Sequence, residues 1–264
     1  YSKPNWNLTK TRTEAVLNNH TKFAALTSVS RAFEKVIKDT FEKDDRGSRM
    51  SGMFLKHNWD VNKAYLTRQE VADGTQVLEN FYVSDGSLQN PITTYEQDGN
   101  LVSSICVGDL DLTPETTIDE LSRAVFRYAQ GFSEDYNGKE SILFVRATQV
   151  PKGKQTPAHI EVQKLQVVLK TCKASEPSPK VLGTVLPDGF STVPVTGRDG
   201  VVRNFLCCPV IEGTGACWIH SRNVDGDRTI CTTQQLHCAE NPLLEECTDH
   251  TAKVLAFNSY GGVN

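Results

Sequence analysis

No uninterrupted apolar stretch in the 264-residue chain approaches the roughly 20 residues that a membrane-spanning helix needs. An excess of basic charge is missing too. The 28 Lys and Arg are set against 32 Asp and Glu, a formal net charge of −4. Binding to nucleic acid or an anionic membrane draws on clustered Lys and Arg that release counterions, so neither is the expected partner. G-x-S-x-G, G-x-x-x-x-G-K-[ST], G-x-G-x-x-G and H-E-x-x-H do not occur. An α/β-hydrolase, a P-loop enzyme, a dinucleotide-binding Rossmann domain and a zincin therefore lack their signatures. There is no 20–50-residue repeat and no low-complexity tract. With 38% hydrophobic and 23% charged residues, the composition is that of an ordered globular chain rather than a disordered or fibrous one.

Cysteine is what the chain has in quantity. Cys106 stands alone in the first 171 residues, and Cys172, Cys207, Cys208, Cys217, Cys231, Cys238 and Cys247 follow. An even number, clustered in this way, reads as a disulfide framework in an oxidising compartment. Two glycosylation sequons, Asn7-Leu8-Thr9 and Asn19-His20-Thr21, agree with secretion. The polar start, Tyr1-Ser2-Lys3-Pro4, fits a chain whose signal peptide has been removed. Cys207 and Cys208 would face opposite sides of a strand and so bond to different partners. Zinc is the competing reading, through Cys217-Trp218-Ile219-His220, His237-Cys238, Cys247 and His250. The spacing is not a paired C-x-x-C, and the sequons favour disulfides, so no metal is assigned.

Periodicity places the elements. Phe23, Leu26, Val29, Phe33, Val36, Ile37 and Phe41 form one helical stripe, with Thr21 or Thr27 as its cap and the charged run 42–47 as its end. Thr117 and Glu120 form a capping box ahead of a second stripe, Ile118, Leu121, Val125, Tyr128 and Phe132, with Gly131 as C-terminal cap. Asp98-Gly99, Asp199-Gly200 and Asp225-Gly226 each stand between β-favouring runs and signal hairpins. Residues 141–146 and 160–171 read as strands, with a loop at 151–157 between them. Pro177, Pro179 and Pro187 make 173–189 a loop or linker. The expected fold class is α+β: antiparallel hairpin-rich sheets with two or three helices in the N-terminal half and a disulfide-rich β C-terminal half. One body over 1–264 is expected. The alternative is a boundary near 173–190, dividing an α+β part (1–172) from a disulfide-rich β part (190–264).

Chemistry is thinly signposted. Among six histidines, His220 is the least bland, because Trp218, Arg222, Asp225 and Asp227 lie close by in a strand-and-turn region rich in cysteine. The favoured reading of that stretch is still a solvated hairpin whose Trp covers a disulfide. Asn223 to Asp227 resembles part of a calcium loop but lacks the bidentate Glu at position 12. The acidic cluster Asp109, Asp111, Glu115, Asp119 and Glu120 reads as helix-dipole stabilisation.

Asp45-Arg46-Gly47-Ser48, Gly52-Met53-Phe54-Leu55 and the later Gly74-Thr75-Gln76 resemble the opening and the Gly-Thr-Gln of NAD-glycohydrolase toxin domains, although their separation is too short for that fold. The resemblance implies NAD-glycohydrolase activity and is the weakest specific option. The expectation is a secreted, disulfide-stabilised glycoprotein with a ligand-binding or recognition role. The alternative is an extracellular enzyme without a motif visible in the sequence. No cofactor is implied, and the partner is an unidentified extracellular protein or small molecule. A deep pocket with converging titratable groups would favour the enzyme, and a flat aromatic patch would favour recognition.

Overall fold

A computed structural model describes residues 14–42, 50–173, 176–187, 189–224 and 228–248, with the backbone alone for 14–18. Asn7, the 43–49 stretch, Asp225 to Asp227 and His250 lie outside the described residues. The helices are α1 (Glu14–Ala32), α2 (Glu34–Thr40), α3 (Met50–Asn58), α4 (Arg68–Asp73), α5 (Ile118–Tyr128) and α6 (Pro242–Cys247). The strands are β1 (Tyr82–Ser84), β2 (Thr94–Gln97), β3 (Asn100–Gly108), β4 (Glu140–Val150), β5 (His159–Leu169), β6 (Ser191–Thr196), β7 (Val202–Pro209), β8 (Thr214–Asn223), β9 (Thr229–Cys231), β10 (Gln234–Gln235) and β11 (His237–Cys238).

Helices and antiparallel sheets together make the fold α+β. One sheet runs β11-β8-β4-β5, with β9 paired to β8, and a second runs β2-β3-β7-β6. β4 is central, pairing Leu143 with both Ile219 and Gln166. Its Ile-Leu-Phe-Val run is continuous because both of its faces are covered. Ile142 and Phe144 turn toward the second sheet, where Trp218, Ile105, Leu206, Leu121 and Val125 complete a core. Leu143, Val145 and Ala147 turn the other way, against Leu26, Val29, Phe33, Val36 and Phe54 of α1–α3. The result is three layers: helices, large sheet, and small sheet with α5. β3 pairs with β7 and β4 with β8, so strands from either side of 173–189 share both sheets. The described residues of that proline-containing segment form isolated bridges at Lys180, Leu182 and Leu186 and pack Val181 and Leu186 into the inter-sheet core.

The local signals hold where the chemistry is local. Thr117 and Glu120 form the capping box of α5. Asp98 (φ 50°) and Gly99 (φ 74°) are the two left-handed residues of a tight β2–β3 turn. The first helix differs from expectation. It begins at Glu14, so Thr21 and Thr27 lie inside it, and the Thr27 hydroxyl bonds back to the Phe23 carbonyl at 2.7 Å. It breaks at Phe33, leaving α2 to carry Val36 and Ile37. Phe23 is 57% exposed, because the stripe turns away from the sheet before that point. α5 ends at Ala129, and Gly131 (φ 87°) belongs to the loop beyond it.

Candidate ligand-binding cleft

His220 and Arg222, the residues singled out by sequence, lie inside the molecule. Alternation along β8 turns them to the face opposite the helices. There Arg222 Nε donates to Glu140 Oε1 at 2.7 Å, and its Nη2 makes a second, shorter contact with the same carboxylate. Nη2 also donates to the Gly131 carbonyl at 2.9 Å, and the guanidinium lies 3.9 Å from the Tyr136 ring centroid. Glu140 is fully buried and accepts from the Ser133 N–H with its other oxygen. His220 stacks on Phe132 at 3.8 Å between centroids. Its Nε2 comes within 3.3 Å of Glu140, but neither ring nitrogen makes an aligned hydrogen bond to a described residue. These contacts tie the loop after α5 to β4 and β8. The expected solvated hairpin is corrected accordingly. His220 is enclosed, and Trp218 packs against Phe144 and Phe190 in the inter-sheet core instead of covering a disulfide.

None of the eight cysteines is bridged in the structure. They are divided among the cores: Cys208 between the sheets, Cys217, Cys231 and Cys238 on the helix side, and Cys247 in a third cluster with Ala25 and Val77. Cys207 faces away from Cys208 and meets the Ser191 hydroxyl at 3.1 Å. Cys106 stands opposite Phe205, two positions from Cys207. Burial pushes the Cys208 thiol up to about 11 and the Cys231 and Cys238 thiols up to about 12, so none is a ready thiolate. Burial raises Cys217 further. Cys217 and His220 leave β8 on opposite faces and cannot share a zinc ion. Among the described residues no three His, Cys, Asp or Glu side chains converge on a metal position.

The open site lies on the other side of the large sheet. α2 is pinned at its end: the Asp85 N–H donates to the Thr40 carbonyl at 3.0 Å, and the Glu42 N–H to the Asp85 carbonyl at 2.9 Å. The buried Thr40 hydroxyl reaches the Val83 carbonyl at 2.7 Å. This anchoring holds Lys38, Asp39 and Glu42 over the end of the sheet. There the floor changes from Cys217 and Ile219 to Ser221 on β8, and from Leu143 to Ser141 on β4. Gln166 Nε2 bonds the Ser141 hydroxyl at 3.0 Å. The β8–β9 hairpin, closed by Val224 N–H donating to the Arg228 carbonyl at 2.8 Å, supplies Arg228 and Thr229 as a side wall. The resulting cleft has a volume of about 730 Å³. Sequence reading missed this site, whose residues share no motif and come from α2, α3, β4, β5, β8, β9 and the segments beside α2 and β9.

The Gly-Thr-Gln triplet has structural duties. Gly74 (φ 87°) caps α4, and Gln76 bonds the Ser28 carbonyl and the Ile160 N–H. Among the described residues no helix is long and apolar enough to cross a membrane. Comparison with known proteins found no matching family model, no matching curated protein and no matching solved structure.

Proposed function

We propose that this chain is a secreted, disulfide-stabilised glycoprotein that recognises a small polar ligand in the cleft between α2 and the end of the large sheet. The cleft itself carries the reading. Its volume lies within the roughly 300–1,000 Å³ of small-molecule sites, and its lining mixes an apolar base with converging polar groups. Phe41, Met50 and Leu143 supply the apolar part. The even cysteine count and the exposed position of Asn19 on α1 support the secretory assignment.

Thermal-shift screening of a polar small-molecule panel tests the cleft. Thr229 is exposed on the wall, so Thr229→Trp fills the space without disturbing the core. A ligand at 100 times its Kd stabilises by about 2.7 kcal/mol, and that gain should vanish in the variant. Hits that stabilise both proteins equally would remove the cleft as the site. Expression through a eukaryotic secretory pathway tests the compartment: glycosidase should lower the mass by a glycan at Asn7 or Asn19, and an unchanged mass would refute it.

A further inference from the structure

We infer that the cleft holds its ligand by an anionic oxygen group, a carboxylate or phosphate, gripped between Lys38 and Arg228 and seated on the Ser221 hydroxyl. The inference rests on the cleft being the binding site and adds the chemistry of what it takes.

The charged groups that line the cleft are Lys38, Asp39, Glu42 and Arg228. Both carboxylates are engaged. Asp39 is ion-paired to Lys164 of β5. Glu42 Oε1 accepts from the Ser87 N–H at 2.8 Å and the Cys231 N–H at 2.9 Å. Lys38 and Arg228 are both exposed and make no ion pair with a described residue. Among the described residues the cleft therefore retains two cations, Lys38 and Arg228, without an ion-pair partner.

The floor points the same way. Ser221 is only 3% exposed, yet its hydroxyl has no hydrogen-bond partner among the described residues, and it borders the cleft. The hydroxyl oxygen itself is reached by solvent from the cleft, so its O–H is free to turn to a ligand oxygen. Its neighbour Gln166 gives one amide N–H to Ser141, and the Ser221 O–H bonds to no described residue. Met50, the first residue of the nine-residue α3, is also on the lining, and the first turn of that helix carries no acidic side chain. Its positive end adds to a field that favours an anion. Two cations on different walls, a hydroxyl below and a helix N-terminus on the rim match the several lone pairs of an oxyanion better than a neutral or cationic group.

The test uses inorganic phosphate, citrate and uncharged glucose, titrated at constant ionic strength and followed by amide NMR shifts. Phosphate or citrate should shift the Ser221, Thr229 and Arg228 amides while glucose leaves them unmoved. Lys38→Gln with Arg228→Gln, both at exposed positions, should weaken the anion by about tenfold or more, and Lys38→Arg with Arg228→Lys should largely retain it. Affinity should fall with added KCl, because exposed cations are screened over about 10 Å at 0.1 M. Anion shifts located elsewhere, or unchanged in the Gln pair, would overturn the inference. So would silence toward both anions. If panel hits lost in Thr229→Trp are uncharged and indifferent to the Gln pair, the anion fails while the cleft stands. If no hit depends on Thr229, the cleft itself fails.

Discussion

Glu140→Leu should destabilise the protein strongly, while the same change combined with Arg222→Met should cost far less. The carboxylate is fully buried, and the Arg222 side chain keeps only 14% of its exposure. Removing one partner leaves a guanidinium in a poorly solvated place, a loss of about 3–5 kcal/mol for buried pairs. It also strips the acceptor from the Ser133 N–H, which adds about 1 kcal/mol or more. Arg222 retains the Gly131 carbonyl and the face of Tyr136, so the lower part of the range applies, about 3–4 kcal/mol. Domains are stable by only about 5–15 kcal/mol, so such a variant sits near unfolding. In the double variant apolar packing replaces both charges, and the coupling should recover about 2 kcal/mol or more of the summed single losses. Urea unfolding of the wild type, both single variants and the double variant closes the cycle. Additive losses, or a single-variant loss under about 1 kcal/mol, would refute the reading of this cluster as a structural clamp. Ligand affinity at the cleft, measured on whichever variant remains folded, should be unchanged. A large drop would return Arg222 and His220 to the functional candidates.

Three more outcomes are expected. Gly108→Ala should cost about 2 kcal/mol or more in urea unfolding, because its φ is 68° and an added Cβ would lie 2.2 Å from the Tyr128 ring; a neutral result would show that the ring moves freely. Burial raises the Glu79 carboxyl despite bonds from the Lys63 and Ala64 N–H groups and the Asn62 amide, so protonation is more favourable in the fold than in the unfolded chain. Its stabilising share is present below the unfolded value and is lost as pH rises through the folded one. From pH 4.5 upward the wild type should therefore lose stability relative to Glu79→Gln, and the opposite trend would reverse the assignment. The structure bridges none of the eight cysteines, whereas the secretory proposal expects thiol titration of the denatured, unreduced protein to give essentially no free thiol. Bridging Cys106 to any other cysteine closes a loop of at least 67 residues (106 through 172), so Cys106→Ser should cost on the order of 4 kcal/mol and melt the chain as one unit. Two or more titratable thiols, or a variant that melts only locally, would refute the framework.

The elements legible in the sequence are those whose causes are local. The Thr117–Glu120 box satisfies the first-turn N–H groups of α5 within a few residues, and Asp98-Gly99 supplies two left-handed positions in succession. The apolar run of β4 announces a strand covered on both sides. That the helix breaks at Phe33 is decided by docking on the sheet, since the same stripe would suit one straight helix. The site shows the limit most clearly. His220, Ser221 and Arg222 are consecutive, and their spacing says that neighbours diverge but not which face is open. The pairing of β8 with β4 and β9, and the anchoring of α2 to Asp85, turn Ser221 into the cleft and its two neighbours into the interior. Lys38 and Arg228 are 190 positions apart in the chain, and only the layering of helices on that sheet brings their charges to one cleft.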